Sequence, residues 1–156
     1  MKLTVLAIGD RLPGWMQDGC DDYLRRFPRD WPLELRALRA EPRGEGRPTD
    51  RLRAAESQRL QAALPAAARR VVLDERGRGL STRELAQRLQ AWADAGESAA
   101  FLLGGPDGHD DALRGSADLL LSLSPMTLPH GLARVVLLEQ LYRAVSLLQG
   151  HPYHRD

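Results

Sequence analysis

The sequence predicts an α/β domain built on a mostly parallel sheet flanked by helices. Two observations carry that prediction. Short apolar runs alternate with longer helical stretches along the whole chain, in the order β-α-β-α-β-α-β-α-β-α. The run Ala99 to Leu103 is apolar throughout and stops abruptly on Gly104-Gly105-Pro106-Asp107-Gly108. That is the form of a strand buried on both faces of a parallel sheet. With 156 residues, 43% hydrophobic and 28% charged, residues 1–156 read as one soluble domain with a proper core.

The elements follow in order. Leu3 to Ile8 is the first apolar run and ends at Gly9-Asp10. Trp15, Met16, Gly19, Cys20, Tyr23, Leu24 and Phe27 then recur at helical spacing, and Pro28 helps to end that helix. Arg25, Arg26 and Arg29 sit near its carboxyl end, where the helix dipole favours cations. Leu33 to Leu38 alternates apolar and charged residues and reads as a half-exposed strand. Residues 40–49, with two glycines and two prolines, read as an exposed, mobile loop able to reach a large partner. Asp50 to Leu64 is a second helix, and Arg70 to Asp74 a short buried strand followed by the loop Glu75 to Leu80. Ser81 with Glu84 forms a capping box for a helix that runs to about Ala95 and is closed by Gly96. A short helical piece at 110–117, a strand at Leu119 to Leu123 and a long apolar helix from Gly131 to Leu148 complete the chain.

Composition narrows the function. No apolar run approaches the roughly 20 residues of a membrane span, and the N-terminus lacks the length and cleavage site of a signal peptide. Cys20, the single cysteine, leaves no internal disulfide, fits a reducing cytoplasm and reads as a packing residue. Residues 1–70 carry 14 basic and 10 acidic side chains, and residues 71–156 carry 8 and 11. The basic excess therefore lies in the N-terminal half, and Lys2 is the one lysine among 22 basic residues. Such an arginine-bearing face is compatible with RNA.

Three loops follow strands and would meet at one sheet edge: Leu73 to Gly79, Gly104 to Gly108 and Leu123 to His130. Taken alone, the glycine loop fits either a tight strand-to-helix turn or a ligand site. Neither the dinucleotide fingerprint nor the P-loop pattern occurs, which argues against NAD and nucleotide-hydrolysis readings. The last helix is apolar around most of its circumference, so it needs cover on nearly all sides, most easily at a dimer interface. Its Glu139, Arg143 and Ser146 form a narrow polar stripe. An ordinary intrahelical pair is one reading of Glu139 and Arg143; burial of the rest of the helix favours a site role. The tail His151-Pro152-Tyr153-His154-Arg155-Asp156 either frays or orders against a substrate. With no further cysteine or paired histidine ligands, no metal site is expected. His109 and His130 read as solvated loop residues.

In combination these stretches resemble a known family. Tyr23 to Pro28, Gly104 to Gly108, Met126-Thr127-Leu128-Pro129-His130, Glu139 to Ala144 and His151 to Arg155 are similar to the RlmH family of SPOUT-class methyltransferases. Asp107 stands where that family commonly has glutamate. The resemblance spans the chain and implies an α/β fold with a C-terminal trefoil knot, acting as a cytoplasmic homodimer. It implies S-adenosylmethionine as cofactor and N3 of a pseudouridine in 23S, large-subunit ribosomal RNA as target, on the assembled ribosome. It also implies that Leu73, Gly104 with Gly105, and Leu123, Ser124, Pro125, Met126, Thr127 and Leu128 hold the cofactor. Arg143 and Arg155 would supply positive charge, Glu139 would orient Arg143, and Tyr153 and His154 would position the base or assist proton removal. A non-catalytic dimeric RNA-binding protein and a small-molecule methyltransferase are the alternatives; the latter would carry its glycine-rich loop after the first strand.

Overall fold

A computed structural model describes residues 1–154, the side chain of His154 excepted. Five strands, β1 (Leu3–Ile8), β2 (Leu33–Leu38), β3 (Arg69–Gly79), β4 (Ala99–Leu103) and β5 (Leu119–Ser122), form one sheet in the order β2-β1-β4-β3-β5. Every pairing is parallel. The helices between them are α1 (Gly14–Arg26), α2 (Thr49–Ala63), α3 (Thr82–Asp94) and α4 (Asp111–Gly115), and α5 (His130–Leu148) follows the last strand.

Period-two alternation sends each strand's side chains to two separate cores. Leu3, Val5, Ala7, Phe101 and Leu103 pack with residues of α1, α3 and α5, whereas Leu6, Ile8, Ala100 and Leu102 pack with Leu60 of α2 and Leu113 of α4. The sheet is therefore covered on both faces, and every residue of β1 and β4 is buried. All four connections between successive parallel strands need crossovers, and the helices supply them. The capping box forms as expected: Ser81 Oγ accepts from the Glu84 amide and Glu84 accepts from the Ser81 amide.

Three sequence expectations need correction. The third strand does not end at Asp74 but runs to Gly79, because β5 pairs with it twice: Leu73 and then Arg78 both lie opposite Leu121. Between those pairings the chain passes so close to β5 that a Cβ on Gly77 would lie 2.7 Å from the backbone of Leu120 and Leu121. Residues 40–49 are exposed but not loose: Glu41 pairs with Arg47 and Arg59, and Arg43 with Glu56 and Asp107. His109 is not solvated; it is 1% exposed.

Candidate functional site

Parallel strands bring their carboxyl ends to one edge, and the three segments predicted to meet there do so around a cavity of about 660 Å³, the first of them as the outer part of β3 (Leu73 to Arg76) rather than as a loop. That lies within the about 300–1,000 Å³ usual for ligand sites. Leu73, Gly104, Gly105, Leu123, Ser124, Met126, Thr127 and Leu128 line it, while Pro125 does not. Leu103 and Leu121 add apolar wall where β4 and β5 end. The segment after β5 is shaped by its own serines: Ser122 Oγ donates to the Ser124 carbonyl (3.0 Å), and Ser124 Oγ accepts from the Met126 amide (2.9 Å). Thr127 then donates to Glu75 across the cavity mouth (3.3 Å).

One side of the cavity is polar. Arg114 lies 3.6 Å from Asp74 and donates to the His109 carbonyl at 2.7 Å. The buried His109 imidazole lies near the backbone of Leu73 and Leu102, with neither ring nitrogen in a well-formed hydrogen bond. Burial holds it below the ordinary histidine range, against the opposing pull of the Asp74 carboxylate.

The expected reacting residues gather elsewhere, at the carboxyl end of α5. Arg143 Nε donates to Glu139 Oε1 at 2.9 Å. The Tyr153 hydroxyl, on a single turn of 3-10 helix at Pro152–His154, lies 3.1 Å from the same oxygen and 3.3 Å from the Tyr23 hydroxyl. The Tyr153 ring packs edge-on against Tyr142, and the guanidinium groups of Arg143 and Arg26 lie over it. Desolvation, the Tyr23 hydroxyl and the Glu139 carboxylate all raise the Tyr153 phenol well above its ordinary range. The His154 side chain and Arg155 lie outside the described residues.

These two groupings share α5 but not a location. Ala133 is the last α5 residue on the cavity wall. Arg143 is ten residues further on, about 15 Å along the axis at 1.5 Å per residue. Within one chain the cluster and the cavity are separate.

Two buried charges escaped the sequence reading. Arg134, 2% exposed, donates from one guanidinium nitrogen to the carbonyls of Ile8 and Gly9 at 3.3 and 2.7 Å, tying α5 to the end of β1. Glu56, 1% exposed, faces the underside of the glycine loop. A usable signal exists for each. Glu56 falls on the stripe Leu52, Glu56, Leu60, and Arg134 on the stripe Arg134, Leu137 or Leu138, Leu141, so each is a charge at an apolar helical position.

Among the described residues no group of three or more His, Cys, Asp or Glu could hold a metal ion, and no helix is long and apolar enough to cross a membrane.

A parallel α/β sheet with a cavity at the carboxyl ends of its last three strands is the frame of a known class of enzymes. The family model described as a predicted SPOUT methyltransferase matches residues 1–154, and the chain belongs to that family. The ribosomal RNA large subunit methyltransferase H of Methylibium petroleiphilum is 56% identical over 156 residues, covering all of both chains. The proteins of the same name from Bordetella petrii and Burkholderia ambifaria are each 52% identical over 155 residues, 99% of each chain.

Proposed function

We propose that this methyltransferase moves a methyl group from S-adenosylmethionine to N3 of a pseudouridine in 23S ribosomal RNA, on the assembled ribosome in the cytoplasm. The observation that carries the reading is convergence: eight of the nine positions expected to hold the cofactor line one cavity. The relatives' names supply the large-subunit RNA substrate. The cavity suits the cofactor chemically. Leucines offer apolar cover for an adenine, loop backbone offers hydrogen bonds, and Asp74 with Arg114 complements an ammonium and a carboxylate.

When bound, S-adenosylmethionine supplies an electrophilic methyl group. The chain's residues do the rest. Arg143 and Arg155 stabilise the charge that develops on the base as N3 loses its proton. Glu139 fixes the Arg143 guanidinium through the 2.9 Å bond. Tyr153 donates a hydrogen bond to Glu139 in its protonated form and positions the base, and His154 beside it in sequence positions the base or assists proton removal. Because cluster and cavity lie about 15 Å apart along one helix, a second copy brings its cluster to the first copy's cavity. The partly exposed α5 residues Leu132, Val135 and Val136 offer apolar surface for that homodimer. In the same reading the trefoil crossing is the passage of residues 119–128 beside Gly77. The arginine-bearing N-terminal half and residues 40–49 face the ribosome.

The test is transfer of labelled methyl from S-adenosylmethionine to ribosomes from cells lacking this enzyme, with uridine or pseudouridine at the target. Label should appear only with assembled ribosomes and pseudouridine. Cofactor binding without transfer would remove the RNA target from this reading, and absence of binding would remove the cofactor.

A further inference from the structure

The glycine loop that forms the cavity wall rests on a charged support that comes from far away in sequence. Arg43, in the segment between β2 and α2, uses all its nitrogens on three acceptor groups. Its two terminal nitrogens donate to Glu56 at 3.0 and 3.1 Å, and Nε and one terminal nitrogen donate to Asp107 Oδ2 at 3.2 and 3.0 Å. It also donates to the Glu41 carbonyl at 2.9 Å. Glu56 is buried and carries a second fixed partner, the Glu41 amide at 3.0 Å. Arg53 donates to the Asp107 carbonyl at 3.0 Å, and Ser57 accepts from the Asp110 amide at 3.1 Å.

Gly105 lies directly on this support. A Cβ there would be 3.0 Å from Glu56 Oε1 and 3.4 Å from an Arg43 nitrogen. The glycine is needed so that the loop can settle on the ion pair while its other side lines the cavity. A buried carboxylate left without its guanidinium is strongly unfavourable. The Glu56–Arg43 pair is therefore a fixed post, and Asp107 ties the loop to it. Lysine could not replace this arginine, since a single ammonium cannot span two carboxylates with a planar fork.

We infer that Arg43 is a positioning residue for the cofactor cavity: by bridging buried Glu56 and Asp107 it sets the backbone of residues 104–108 in the shape that receives the ligand. The inference rests on the cavity being the S-adenosylmethionine site. It also gives residues 40–49 a second task, since whatever moves that segment moves the loop.

The test compares full-length wild type, Arg43→Ala, Arg43→Lys and Arg69→Ala. Arg69 makes a bidentate pair with Glu97 (2.6 and 2.7 Å) away from the cavity; its carboxylate is more exposed than Glu56, and it controls for loss of a two-point arginine ion pair as such. Hydrogen exchange without cofactor and S-adenosylmethionine binding by calorimetry are measured on each. Arg43→Ala should speed amide exchange at 104–108 and weaken binding about tenfold or more, equivalent to about 1.4 kcal/mol. Arg43→Lys should fall between, and Arg69→Ala should match wild type in both. Unchanged exchange at 104–108 in Arg43→Ala overturns the inference. If wild type itself binds no S-adenosylmethionine, the cavity reading fails and takes the inference with it.

Discussion

The cavity and the α5 cluster are built in opposite ways. The cavity is made largely from backbone: the outer part of β3 and the loops after β4 and β5, where β3 and β4 each have a parallel neighbour on both sides and the edge strand β5 is held by β3 alone. The cluster is made from side chains on α1, α5 and the tail, held by rings, one carboxylate and two guanidiniums. A backbone site is finished once the sheet is finished. A side-chain cluster at the end of a helix can be finished in one chain yet serve another. The two halves of the proposed reaction therefore differ in what should disrupt them.

The largest effect is expected where that difference is sharpest. Arg143→Ala, or removal of residues 151–156, should lower single-turnover methyl transfer by about 10²- to 10⁴-fold. Cofactor binding should stay near wild-type strength, because neither change alters a residue that lines the cavity of its own chain. Gly104→Val should do the reverse and abolish binding, since even a Cβ there would stand 3.0 Å from the Gly108 carbonyl carbon. Each variant alone should be inactive. Refolded together in equal amounts, Arg143→Ala and Gly104→Val should recover about a quarter of wild-type activity, from mixed dimers with one intact composite site. No recovery in assays that detect a few per cent of activity would show that each chain uses its own cluster.

A second prediction concerns how the cavity's backbone is held. Gly77→Ala places a methyl 2.7 Å from backbone atoms of Leu120 and Leu121, which cannot turn away as a side chain would. The expected cost is about 3 kcal/mol of unfolding free energy, at the upper end for overpacking. Urea denaturation reads it directly. Ring packing around Tyr153 should be untouched, so near-ultraviolet circular dichroism before the transition should match wild type. A loss below 0.5 kcal/mol would mean that the crossing relaxes easily and is no tight constraint.

How much of this was legible in the sequence follows the same division. Ten alternating elements and the loops after β4 and β5 could be read, because buried strands show as apolar runs and their ends as turn residues. The Glu139–Arg143 pair could be read because i, i+4 neighbours on a helix are fixed by geometry. Long-range pairings could not. Nothing local in Asp74 to Gly79, polar throughout, signals a strand; it exists because β5 returns to pair with Arg78 and Gly79. Arg43, Glu56 and Asp107 lie far apart in sequence, and only the fold brings them together. His109 looked like a loop histidine because a residue just outside a glycine turn gives no sign that α4 and β3 will cover it.

His109 also gives the smallest and most specific prediction. Its pKa is lowered by burial, so the folded chain keeps the ring neutral at pH values where the unfolded chain, near 6.5, takes up a proton. Proton uptake by the unfolded state alone favours unfolding. The stability this ring contributes is thus present above about pH 6.5 and is lost as the pH falls below it, with a slope below about 1.4 kcal/mol per pH unit. Desolvation is the largest influence and outweighs the opposing pull of Asp74 and of the Leu102 and Leu73 backbone, with Arg114 adding a smaller push in the same direction as burial. His109→Leu keeps the apolar volume and removes the titration, so its urea midpoint should change less than that of wild type between pH 7.5 and 5.5. An equal change in both proteins would move the acid sensitivity to other groups. A flatter curve for the variant would identify the cavity wall, rather than the α5 cluster, as the acid-sensitive half of the molecule. In the cluster the raised phenol of Tyr153 acts at the opposite end of the scale: ionisation of the unfolded chain near pH 10 costs stability only as the pH rises.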